Sequence, residues 1–185
     1  MEHIVTYTGK KFTPLDPDIN NIHIDDIAHS LSLMCRANGH IDYFFSVAQH
    51  SINCVGEAKA RGYSPRIQLL CLIHDASEAY ISDITRPVKC YLTEYKEIEK
   101  KLQGVIYTRF LGPDLTKEEI TLMDQIDDDM LANELDALMS KVTVFNVLPK
   151  LYSTPSFEYR DHKEVETEFL KVYYGIMHAG MVIGR

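Results

Sequence analysis

The chain contains no run of lysines and arginines, no C-x-x-C pair and no apolar stretch approaching the length of a membrane span. Nineteen basic residues against 27 acidic ones leave a formal net charge of -8, so no basic face is available to neutralise a phosphate polymer. A nucleic-acid polymer is therefore excluded as the expected partner, although a small anionic ligand needs only a few local cations. The four cysteines, Cys35, Cys54, Cys71 and Cys90, lie far apart, and two of them sit in apolar helical runs; they read as reduced thiols. The start Met1-Glu2-His3-Ile4 has no basic segment with an apolar stretch behind it, and the short apolar runs give no membrane partner, so a cytoplasmic protein is expected. Internal repeats, low-complexity tracts and linkers are also missing. At 185 residues, 45% of them hydrophobic, the chain is sized for one domain, residues 1–185.

What is present reads mostly as helix. Turn signals around Gly9 and Pro14-Leu15-Asp16-Pro17 bracket a short extended piece, an N-terminal arm or hairpin over residues 1–23. Apolar spacing predicts helices over 24–37, 43–61, 65–81, 93–110, 116–142 and 157–177. Asn38-Gly39 and Gly62 serve as stops, and Ser64-Pro65 and Thr116-Lys117-Glu118-Glu119 as starts. Residues 144–155 read as loop. The expected fold is all-α, a helical bundle with a short extended N-terminal arm.

The third of these helices poses an electrostatic problem. Leu69, Leu70, Leu72, Ile73, Ala76, Ala79 and Tyr80 leave it no broad polar face, yet it carries His74, Asp75 and Glu78. A buried carboxylate needs a pairing cation or a metal. His50, His74 and Asp75 supply imidazole and carboxylate donors for a divalent transition metal, and the acidic cluster 124–129 offers a further one. Helical phase selects Asp127, flanked by Met123, Met130 and Leu131; Asp129 points to water with Gln125 and Asn133, and Asp128 is undecided. Glu78, one turn after His74, stands where a general acid or base is needed, and Asp83 is a second carboxylate within reach. Arg36, Arg86 and Lys89 are the cations for an anionic substrate. The plainer alternatives are a hydrogen-bonded core histidine, a solvated acidic face and a turn-forming Asp83.

These residues, His50, then Ile73-His74-Asp75-Ala76-Ser77-Glu78, then Ser82-Asp83-Ile84-Thr85-Arg86-Pro87-Val88-Lys89, then Gln125-Ile126-Asp127, resemble the HD-domain metal-dependent phosphohydrolases. Within them the chain is similar to bacterial 5'-deoxynucleotidases. The segments 26–40 and 45–51 resemble a compact branch that includes phage-type dATP triphosphohydrolases. The resemblance covers roughly residues 12–135. It implies His50, His74, Asp75 and Asp127 as metal ligands, Glu78 and Asp83 as acid/base groups, and Arg36 as a phosphate contact. The chain departs from the pattern at Ser82, where Gly is usual, and at Thr85, where Pro is common, which bears on the base or sugar pocket. Ala79 after Glu78 separates it from guanosine-tetraphosphate hydrolases, and the G-Y-P tail of cyclic-dinucleotide phosphodiesterases is missing.

The resemblance implies a deoxynucleoside triphosphate triphosphohydrolase acting on dATP and releasing deoxyadenosine and triphosphate. Its cofactor would be Zn, Co or Mn, with a second ion such as Mg accompanying the substrate phosphates. A phage-encoded copy would work in the host cytoplasm, and relatives usually form homo-oligomers. The rivals are a 5'-deoxynucleotidase acting on monophosphates, a non-catalytic nucleotide sensor, and an interaction module whose buried acids are merely ion-paired.

Overall fold

A computed structural model describes the backbone of residues 2–183 and side chains through residue 180. The N-terminal arm is a hairpin of two antiparallel strands, β1 (Ile4–Val5) and β2 (Lys11–Phe12), with Ile4 opposite Phe12. Phe12 is buried and stacks on Tyr80, while Thr8 donates its N–H and hydroxyl to the buried Asp26 at 2.7 and 3.0 Å. An apolar residue and a carboxylate thus fasten the arm to the helices.

Helix α1 (Ile24–Leu33) buries Ile24, Ile27, Ala28 and Leu31, but it ends four residues before the expected stop. The reason lies in the next backbone bonds. Cys35 forms an antiparallel bridge with Ser46, Arg36 N donates to Phe45 O at 2.9 Å, and Val47 N to Met34 O at 3.0 Å. Ala37 and Asn38 then turn with φ of 52° and 50°, a left-handed conformation rarely held by non-glycine residues. Arg36, expected inside the helix over 24–37, therefore stands in a tight turn just after the bridge. The same bridge delays α2 (Val47–Ala60), which opens on Ser46, whose hydroxyl accepts from Gln49 N.

Helix α3 (Pro65–Ile73) opens as Ser64-Pro65 predicts and buries every side chain from Leu69 to Ile73. It packs among α2, α6 (Thr93–Leu111), α7 (Lys117–Leu138) and α8 (His162–Ile183), which accounts for its missing polar face. The predicted single helix over 65–81 is broken. From His74 to Ser77 the backbone tightens into bonds three residues apart, Ala76 N to Ile73 O and Glu78 N to Asp75 O, before α4 (Glu78–Ile81) resumes. The cause is Gln103 on α6. Its carboxamide accepts from Ser77 N at 2.9 Å and donates to Ile73 O at 2.8 Å, standing between the two groups that a continuous helix would have joined.

Residues 86–89, outside every helix that the apolar spacing predicts, form the short helix α5 (Arg86–Lys89). Helix α7 starts on the full Thr116/Glu119 capping box and stops at Leu138 rather than 142. The last helix begins at His162, five residues after the expected start. The segment before it is held by a polar stripe on α2 at four-residue spacing. Gln49 and Asn53 donate to Ser156 O, and buried Glu57 accepts from Tyr152 N, Ser153 N, the Ser153 hydroxyl and Arg61 Nε. With its burial outweighed by these donors, the Glu57 carboxyl is pulled down to about 2.

The structure is mostly helical, as the sequence predicts. All four cysteines are free. Among the described residues no helix is long and apolar enough to cross a membrane.

Candidate metal centre

The break after α3 aims the functional groups. His74 Nδ1 sits 2.8 Å from Cys71 O, and a carbonyl can only accept, so Nδ1 carries the hydrogen and Nε2 points away toward α2 and α7. His50, fully buried on α2, is held in the same manner by Glu134 of α7, with Nδ1 2.7 Å from Oε1. Carboxylate or carbonyl partners on the far ring nitrogen are how metal-binding imidazoles are usually oriented.

The two Nε2 atoms lie 3.2 Å apart. Asp127 Oδ1 is 3.0 Å from the His50 Nε2 and 3.7 Å from that of His74, and Asp75 Oδ2 is 3.2 Å from the His74 Nε2. The four sequence-predicted ligands thus come together at one point, from α2, the α3 break and α7. Lone pairs and carboxylate oxygens cannot converge so closely without a positive charge among them. Protons on the imidazoles are one source: although burial opposes their charge, Glu134 and Asp127 raise the His50 pKa, and Asp75 and Asp127 raise that of His74. A divalent cation is the other. Two imidazole nitrogens at about 2.0–2.1 Å from a tetrahedral ion stand about 3.3 Å apart, close to the spacing found. The donor set fits the group.

His50, Cys54 and His74 also form a buried cluster that can hold a metal ion. Cys54 was not among the expected ligands. Its sulfur is 3.5 Å from the His50 Nε2 and 4.0 Å from Nδ1, so it flanks the ring rather than standing beyond Nε2 on the lone-pair side. Burial keeps it a thiol, with its pKa well above the ordinary value. The donor atoms that face each other are those of the imidazoles, Asp75 and Asp127.

Beside this point opens a cavity of about 590 Å³ lined by Arg36, Glu78, Asp83, Arg86, Lys89 and Asp127, with an apolar wall of Ile41, Leu131, Leu135 and Met139. Glu78 Oε2 is buried without a hydrogen-bond partner. Burial, and then the charges of Asp75 and Asp83, push its pKa up to about 9, so at neutral pH it holds a proton. Burial and Asp75 likewise raise Asp83.

The expected phosphate-binding cations are near but engaged. Arg36 joins Asp75 at 3.3 Å to Glu134 at 3.2 Å, Arg86 pairs with Asp127 and Asp128, and Lys89 pairs with Glu99 at 2.7 Å. Asp129 does not simply face water. It pairs with Arg61 at 2.7 Å, because the segment ending in Glu57–Arg61 packs against that side of α7. Sequence reasoning missed Glu134, which links His50 to Arg36. The signal was available: Glu134 lies seven residues after Asp127, two helical turns along the same face.

No protein-family profile matches the chain. It is 37% identical over 134 residues to a protein of Escherichia coli named uncharacterized protein YfdR, an alignment spanning 72% of this chain and 71% of that one. The chain belongs to the YfdR family. An uncharacterized protein of Rhodobacter capsulatus is 38% identical over 109 residues, covering 56% of this chain and 55% of its own. This chain thus matches about half the length of the second relative, and neither name carries an activity.

Proposed function

We propose that the protein is an HD-domain, metal-dependent deoxynucleoside triphosphate triphosphohydrolase, with dATP as the substrate that the motif resemblance favours. The observation that carries this reading is a proton-holding, unpartnered Glu78 that lines one cavity with Asp75 and Asp127, the two carboxylates that face the buried His50 and His74. A protonated carboxylic acid beside a cation site and two arginines suits departure of an alkoxide from phosphorus. A divalent ion, when bound by the imidazoles and carboxylates, supplies charge stabilisation at phosphoryl oxygens and a lowered water pKa.

The chain's own groups do the rest. Arg36 neutralises phosphate oxygens from the α1 side and Arg86 and Lys89 from the α5 side, which requires each to exchange part of its present carboxylate pairing for the substrate. Water adds to the α-phosphorus and the bond to the 5'-oxygen breaks. Glu78 gives its proton to that oxygen, releasing deoxynucleoside and triphosphate, and recovers one from the entering water. Asp83, whose pKa burial and Asp75 also raise, passes protons between Glu78 and solvent in this reading.

The test is incubation of protein loaded with Zn, Co or Mn with a panel of dNTPs, rNTPs and dNMPs, separating triphosphate, pyrophosphate and phosphate. Triphosphate with deoxynucleoside is the expected pair. Pyrophosphate as the sole product would refute cleavage at the 5'-oxygen. Turnover of monophosphates alone would leave the 5'-deoxynucleotidase alternative.

A further inference from the structure

A second cleft, of about 490 Å³, meets the metal centre from the α6 side. It shares Asp75 and Lys89 with the first cavity, so the two open in different directions from one point. Their walls differ. The first carries the apolar Ile41, Leu131, Leu135 and Met139, suited to an organic group. The second has Thr93, Lys96, Lys100 and Gln103 along one face of α6, at helical spacings of three and four residues. The inner end of that face is fixed, because Gln103 is bonded into the backbone on either side of His74. The stripe therefore runs from solvent to the centre.

We propose that this cleft binds the distal phosphates of the substrate, with Lys96 and Lys100 as the residues that make the protein select a triphosphate. The inference rests on the phosphohydrolase reading and extends it. The charges favour it. Lys89 and Glu99 satisfy each other at 2.7 Å, whereas Lys96 and Lys100 make no ion pair among the described residues. Asp75, at the inner end, is paired with Arg36, so toward solvent Glu97 alone opposes Lys96 and Lys100, a surplus of one positive charge. With the α-phosphate at the junction, the sugar and base lie toward the apolar wall and the β- and γ-phosphates toward the lysines. A monophosphate would leave the second cleft empty.

The probe is inorganic tripolyphosphate, titrated calorimetrically into protein dialysed free of metal and, separately, into the cobalt-loaded protein. Wild type should bind, the double variant K96A/K100A should bind at least tenfold more weakly in both states, and E97K should bind more tightly. In turnover, the ratio of KM for a dNTP to KM for the matching dNMP should rise at least tenfold in K96A/K100A. Absence of tripolyphosphate binding by wild type, or equal binding by wild type and K96A/K100A, overturns the proposal. The two readings fail separately: lysine-dependent binding without any hydrolysis refutes the enzyme and keeps the subsite, while dNTP hydrolysis indifferent to both lysines does the reverse.

Discussion

Replacing Glu78 by Gln should abolish turnover and yet make the metal-free protein more stable at neutral pH. The folded protein holds this carboxyl at about 9 against an ordinary 4.5. A raised folded pKa means that the stability linked to the protonated form is fully present below about pH 4.5 and is lost as pH climbs toward 9. At pH 7 the wild type is about 2.5 units into that window, which at 1.36 kcal/mol per unit is a loss of about 3 kcal/mol relative to pH 4.5. Gln cannot ionise and escapes the loss, and both side chains are neutral at the acid end, where the comparison is anchored. For a chain of 185 residues, about 2–4 °C per kcal/mol turns this into a relative gain in Tm of about 6–12 °C between pH 4.5 and 7. The assay is thermal unfolding of dialysed wild type and E78Q, followed by circular dichroism from pH 4.5 to 9. Parallel Tm curves for the two proteins would refute the argument that Glu78 is buried neutral.

Three further outcomes follow from the geometry. Asp127→Ala should remove bound transition metal, read by elemental analysis, since its carboxylate faces both imidazoles. Glu134→Gln should weaken metal affinity about 10–100-fold in competition with a chelator while keeping the fold, because it loosens the His50 ring and not a ligand itself. Glu57→Gln should cost about 2–3 kcal/mol in urea unfolding at pH 7, since its carboxyl, lowered to about 2, contributes stability above about pH 4.5 that disappears as pH falls toward 2; a difference from wild type that persists undiminished at pH 2 would contradict the assignment.

Local signals in the sequence were reliable where one residue or one face decides. Ser64-Pro65 and the Thr116/Glu119 box open helices as expected, and the flanking of Asp127 by Met123, Met130 and Leu131 picked the carboxylate that reaches the imidazoles. What escaped depends on partners distant in the chain. The end of α1 at Leu33 is set by pairing with Ser46, the break at His74–Ser77 by Gln103, and the true role of Asp129 by Arg61. None of these has a periodicity. Glu134 stood within reach of the same face argument that found Asp127, but a glutamate two turns along an acidic helix gives no reason to prefer it until His50 is seen beneath it.

The Gln103 carboxamide that splits α3 from α4 also sets an order of events during synthesis. His74 and Asp75 can adopt their bent arrangement only once α6 has docked, and Asp127 and Glu134 arrive later still on α7. A chain emerging from the ribosome therefore exposes imidazoles and acids long before they converge, and on the proposed function loading of the centre would belong to the closing stage of folding, after α7 has joined. On the proposed function, metal scarcity would then be felt first by newly made protein, not by chains already folded.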